Sequence, residues 1–208
     1  DARFQGQRDA AERPSSFFLL ENDHWQVFGL DTAWQSPDLA GMNGGLFEGQ
    51  AAWMETERAR ARQKGCVVLT HHQLFSVRSG EGESPQVELE LRRTGLFEQI
   101  DAWIWGHEHR CVVHKRDWRD VPFSCCLGNG GVPVIAEPPG APTPEGVAWE
   151  YRESIKEGLV FPKYYARFGY ASLDFREAEI DVRIFGEDGN QKWPLPGKEA
   201  EGVIRKRS

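Results

Sequence analysis

Long apolar runs are missing from this chain. No stretch approaches the roughly 20 residues that a membrane-spanning helix needs, so no membrane partner is expected. Nor does a charged start lead into an apolar segment, so no secretory leader is read. Cysteine is scarce: Cys66, Cys111, Cys125 and Cys126 are all there is, and no two form a C-x-x-C pair. That excludes a zinc knuckle and points to reduced, buried thiols in an intracellular, cytoplasmic protein. Positive charge is also short. The net charge is −7 over 208 residues, and the basic face of a nucleic-acid module is absent. The one basic cluster, Arg205-Lys206-Arg207, reads as a solvated tail. Methionine is absent from the first position, so the chain reads as processed, trimmed or part of something longer. The polar residues 1–14 are expected to be poorly ordered.

What is present alternates between strand and helix. Ser16 to Leu20 and Trp25 to Leu30 read as a strand pair around a polar turn. A glycine-containing loop over residues 33–45 leads to a helix from Leu46 to Lys64. There Leu46 and Trp53, and Phe47 and Met54, share a face, and Gly65 is the expected stop. Cys66 to Leu69 is a wholly apolar strand, as expected of one buried on both faces. A polar loop (76–86) precedes residues 87–100, read as a crossover helix, and Asp101 to Trp105 is the next strand. The order is that of an α/β fold. Beyond it, Val112-Val113 and Phe123 to Leu127 read as strands, and residues 133–145, with five prolines, as an irregular loop. Residues 147–195 are mostly antiparallel strands. Together these suggest one domain over 1–208, with 15–136 its α/β portion.

Histidines follow both buried strands. Thr70-His71-His72 follows the first, and Gly106-His107-Glu108-His109 the second. Open α/β sheets place sites at the C-terminal ends of their strands, and imidazole is a common transition-metal ligand. His107 and His109, one residue apart, face one side if the segment is extended. Neighbouring strands lie ~4.8 Å apart, so His71 can reach the same ion. His71, His107 and His109 are therefore the candidate metal ligands. His72, directed away from His71 by an extended backbone, is the candidate catalytic or substrate-facing residue. Asp31 reads as a strand-terminal cap, with a ligand role as the alternative. Gly128-Asn129-Gly130-Gly131 reads as a turn near the site, His24 and His114 as structural or solvated. Cys111 is the nearest fourth donor for a single structural zinc, but a strand would carry it away from His109.

The ordered set Gly29-Leu30-Asp31-Thr32, Gln50, Trp53, Val67 to His72, Gly106 to His109 and Gly128 to Pro133 resembles the calcineurin-like metallophosphoesterases. The likeness spans about residues 16 to 135. It implies a β-sandwich flanked by helices, in α/β/β/α layers, and a phosphoester substrate cleaved with two divalent ions (Mn, Fe or Zn). By that resemblance His71 and His107 would serve the second ion and His109 the first, with Glu108 variable. The family's earlier ligand motifs, D-x-H, G-D-x-x-D and G-N-H-D/E, are absent. The chain thus resembles the C-terminal half of such an enzyme, and this segment alone is expected to have little activity. The alternative is a non-catalytic binding or scaffold domain with a degenerate site.

Overall fold

The computed structural model describes residues 16–34, 43–46, 49–77, 85–132, 134–137, 140–157 and 163–207. The expected disorder of 1–14 lies outside these residues, as do parts of the loops at 33–45, 76–86 and 133–145. The fold is mixed α/β, mostly sheet with two helices.

The main sheet is built around four apolar segments that run parallel. These are β2 (Trp25–Leu30), β3 (Gly65–Thr70), β4 (Ala102–Trp105) and β6 (Phe123–Leu127). Antiparallel β1 (Phe18–Glu21) closes one edge, while β5 (Cys111–His114) and β7 (Val147–Glu150) extend the other. The order is β1-β2-β3-β4-β6-β5-β7. The hairpin of β8 (Ser154–Glu157) and β9 (Lys163–Ala166) follows β7. In the second sheet, β10 (Gly169–Phe175) pairs with one side of β11 (Glu179–Gly186). The other side of β11 takes β12 (Gln191–Trp193) and β13 (Val203–Arg205).

The parallel strands are apolar on both faces because both faces are covered. On one face, Phe28, Val68, Trp103 and Trp105 pack with Met54, Val87 and Leu91 from helices α1 (Gln50–Arg60) and α2 (Pro85–Arg93). On the other, Trp25, Val67, Ile104 and Phe123 pack with Ile180, Val182 and Ile184 of the second sheet. Packing on both sides explains why these runs lack the alternation of a half-exposed strand.

Three local expectations change. Helix α1 covers Gln50–Arg60 rather than Leu46 to Lys64: Leu46 lies before it, and Ala61 caps its end. Gly65 is not a helix stop but the first residue of β3. A Cβ there would come within 2.3 Å of the Trp25 ring, so close packing explains the glycine. The basic C-terminus is not a solvated tail. Val203–Arg205 pairs with β11, and Arg207 donates its amide to the Asp101 carboxylate at 2.5 Å and its guanidinium to the carbonyls of Glu98 and Asp120. The same carboxylate takes the Cys66 amide at 2.7 Å, and the Asp101 amide donates to the Cys66 carbonyl. Charge-assisted contacts like these outweigh the solvation of a loose tail.

His114 is buried rather than solvated. Its ring stacks on Trp105 and meets the edge of Phe75, and Nδ1 is 3.2 Å from the Ser124 carbonyl. Burial pushes its pKa down to about 4, against the smaller opposing pull of the Ser124 carbonyl. Above about pH 6.5 the ring is neutral in both folded and unfolded chains. As pH falls from about 6.5 towards 4, the unfolded chain takes up a proton that the folded chain refuses. Stability should fall by about 3 kcal/mol across that window. Denaturant titrations of His114→Gln should lack this part of the pH slope.

Candidate metal centre

β3 and β4 are parallel neighbours, in register from Val67 opposite Ala102 to Leu69 opposite Ile104. Their C-terminal loops therefore leave the sheet side by side. The amides of Gly106 and His107 both donate to the His71 carbonyl, at 3.1 and 2.8 Å. This clip holds the two histidine loops together independently of any bound ion.

Each loop is anchored further by a tryptophan of β4. The Trp103 indole donates to the Thr70 hydroxyl at 2.9 Å, which donates in turn to the His72 carbonyl at 2.8 Å. The Trp105 indole donates to Glu108 at 2.6 Å, and Ser76 donates to the other oxygen of that carboxylate at 2.5 Å. Glu108 is buried. Both its oxygens serve the protein, so it is an anchor of the His107–His109 turn.

Three imidazoles converge here. The ligand atoms of His71, His72 and His107 all lie within 4.8 Å of one another. His107 Nδ1 is 3.0 Å from His71 Nε2. Two neutral ring nitrogens at that distance share one proton, one donating and one accepting. The same separation suits adjacent positions around an ion with bonds of roughly 2.0–2.1 Å. His71 is exposed, His107 half-buried and His72 buried, so the cluster opens to solvent on one side. Burial, and then the charges of His72 and His109, hold the His71 pKa below the usual imidazole range. This favours the neutral form that a metal requires.

His72 and His109 are not where an extended backbone would put them. The chain bends at residues 71–72, so His72 turns towards His71, with ring centroids 4.8 Å apart. Thr32 fixes that ring: its hydroxyl is 3.0 Å from Nδ1 and accepts the His72 amide at 3.2 Å. His109 has a left-handed backbone, φ 50°. The reversal takes its ring out of the side-by-side arrangement with His107. His109 stands outside the three-histidine group and borders a small pocket with Asn129 and Arg152.

Asp31 caps its own turn. Its carboxylate accepts the amides of Ala33 and Trp34, both at 3.0 Å, and the Ser16 hydroxyl. Burial raises its pKa, but these hydrogen bonds, together with the nearby His72, win and hold it below the ordinary value. Gln50 grips the Asp31 backbone twice, side-chain oxygen to amide and side-chain amide to carbonyl, each at 2.8 Å. Cys111 is buried in the sheet-to-sheet core and is no part of the cluster. Among the described residues, the donors thus fit one ion held by imidazole.

No protein-family model matches the chain, and no curated protein matches it. Among solved structures it is similar to one titled "GAP50 the anchor in the inner membrane complex of Plasmodium", with a TM-score of 0.56 and 11% identity. The match covers 92% of this chain and 54% of that one, so the chain spans about half its length. At this identity the likeness concerns the fold alone. No helix among the described residues is long and apolar enough to cross a membrane.

The signals for Thr32 and Glu108 were present but mute, because neither residue type announces which ring or indole it will meet. Gly106 opens the histidine turn, yet a Cβ there would meet only the Gly128 Cα, at 3.9 Å. The close approach belongs to Gly128, where a Cβ would fall 1.7 Å from the Gly106 carbonyl oxygen. Gly106→Ala should leave stability nearly unchanged. Gly128→Ala should displace the 106–109 turn and cost about 3 kcal/mol by overpacking. Urea denaturation of the two variants checks the contrast.

Proposed function

We propose that this chain carries the histidine half of a metal-dependent phosphoester hydrolase site, as its resemblance to the calcineurin-like metallophosphoesterases implies. The observation that carries the reading is the convergence of His71, His72 and His107 at the ends of neighbouring parallel strands. A layered sandwich of that family would place its site there, and the two face-packed sheets support it, although among the described residues the α-helices cover one outer face and not both as α/β/β/α layers would require.

In this reading His71 and His107 hold one divalent ion through the nitrogens that face each other. The separate position of His109 suits a ligand of the other ion. His72 joins the first pair as a ligand or faces the substrate, with Thr32 fixing its ring. Thr32 accepts the His72 amide and, in a metal-bound form, the Nδ1 proton, which directs Nε2 outward. Bound divalent ions supply acidified water and neutralise phosphoryl charge. The carboxylates that commonly accompany such ions are not supplied by Asp31 or Glu108, whose oxygens are engaged elsewhere. The segment alone is therefore expected to bind one ion and turn over little.

A second reading is a scaffold domain that keeps the fold and a reduced site. It is favoured by the solved neighbour, whose title calls it an anchor.

Calorimetric titration with Zn²⁺ or Mn²⁺ should give one site in the 208-residue chain. His71→Ala or His107→Ala should weaken it at least about tenfold, a loss of roughly 1.4 kcal/mol, and His24→Ala should not. Absence of stoichiometric binding would leave the scaffold reading standing. Hydrolysis of p-nitrophenyl phosphate should stay near background. Turnover lost in His107→Ala would show a complete site within this chain and overturn the half-site reading.

A further inference from the structure

At the end of the main sheet opposite the histidines lies an open cavity of about 480 Å³ between β5, β7, β12 and β13. Its volume falls in the range of small-molecule sites. Apolar walls come from Val113, Ala148 and Val203. Its polar groups are Arg116, Arg205 and His114 with the carboxylates of Asp117 and Glu201. Arg116 is exposed and borders the cavity, and its Nη2 donates to the carbonyls of Glu201 and Val203 at 2.7 and 2.6 Å. No other hydrogen bond or ion pair engages this guanidinium among the described residues, so N–H groups on Nε and Nη1 remain for a guest. Trp193, also in the lining, is 1% exposed, and its Nε1 has no hydrogen-bond partner. That nitrogen is closed to water, so the indole forms part of the wall rather than a donor to a guest. The planar guanidinium fork matches a carboxylate.

We propose that this cavity binds a small organic carboxylate with an apolar body, its oxygens held by Nε and Nη1 of Arg116 and its body on the apolar walls beside Trp193. The other charges on the rim do not compete equally. Arg205 is committed to Glu179 at 2.8 Å and Glu201 to Lys198 at 3.0 Å. Asp117 lowers the net positive charge, so selectivity comes from directed N–H groups rather than from bulk potential. The site needs no metal and stands apart from the histidine cluster.

The probes are phenylacetate and its neutral isostere phenylacetamide. The readout is the ¹⁵N-edited NMR signal of the Trp193 indole, assigned by its loss in Trp193→Phe. Phenylacetate should shift that signal saturably and bind at least about tenfold more tightly than the amide. Arg116→Gln should remove that preference. Arg116 also tethers the segment leading into β13, so a second variant guards against loosened structure. Ala200 is an exposed residue on the cavity wall, and Ala200→Phe should abolish the shift by filling the space. Equal responses to acid and amide would overturn the proposal. So would a lack of saturation at millimolar phenylacetate, or a response untouched by both variants.

Discussion

One carbonyl organises the histidine end of this molecule. The His71 oxygen takes the amides of both Gly106 and His107, and so fixes the loop after β4 onto the loop after β3. Parallel pairing brings the strand ends within reach of each other, but it does not by itself decide where the loops go. The double hydrogen bond does. With the backbones joined, the rings of His71 and His107 have little choice but to meet. The indoles of Trp103 and Trp105 then hold each loop to the sheet through Thr70 and Glu108. Their rings sit in the helix-covered core, so core packing and site geometry are set by the same two side chains.

The electrostatics follow from that crowding. Three imidazoles with ring centroids 4.8 to 5.0 Å apart cannot all carry charge at acceptable cost. Like charges at such range disfavour the protonated forms, and burial with the charges of His72 and His109 holds the His71 pKa below the usual imidazole range. The neutral form of His71 thus favoured leaves its ring nitrogens to share a proton with His107 across the 3.0 Å contact. A structural cluster could relieve this tension by surrounding itself with carboxylates. Here the nearest ones, Asp31 and Glu108, have their oxygens occupied by Ser16, backbone amides, Ser76 and Trp105.

The parts of the fold legible in the sequence were those governed by local pattern. Strands at Trp25–Leu30 and Phe123–Leu127 follow from apolar runs, as does the run of antiparallel strands within 147–195. Strand ends followed by histidines marked the site region for the same reason. What escaped was set by contacts distant in sequence. The pairing of Val203–Arg205 with β11 depends on the far side of a sheet. The bend at His71-His72 depends on Thr32, forty positions away, and the turn at His109 on the absence of a Cβ at Gly128. Treating both histidine segments as extended put His109 in the cluster and His72 outside it, and the bent backbones exchange them.

That exchange bears on how the site can work. An extended Gly-His-x-His would aim both rings of its pair at one ion. The left-handed turn at His109 instead separates them by direction while keeping His109 close enough for its charge to depress the His71 pKa. His109 therefore stands outside the group formed by His71, His72 and His107. The cost is a strained backbone at a residue other than glycine, of order 1–3 kcal/mol. The surrounding anchors offset it: the Gly106 carbonyl takes the His109 amide at 3.1 Å, and Glu108 is held at both oxygens. The close approach of Gly128 to the Gly106 carbonyl and the His109 amide fits the same turn, so the loop's shape is fixed by backbone packing as much as by its side chains.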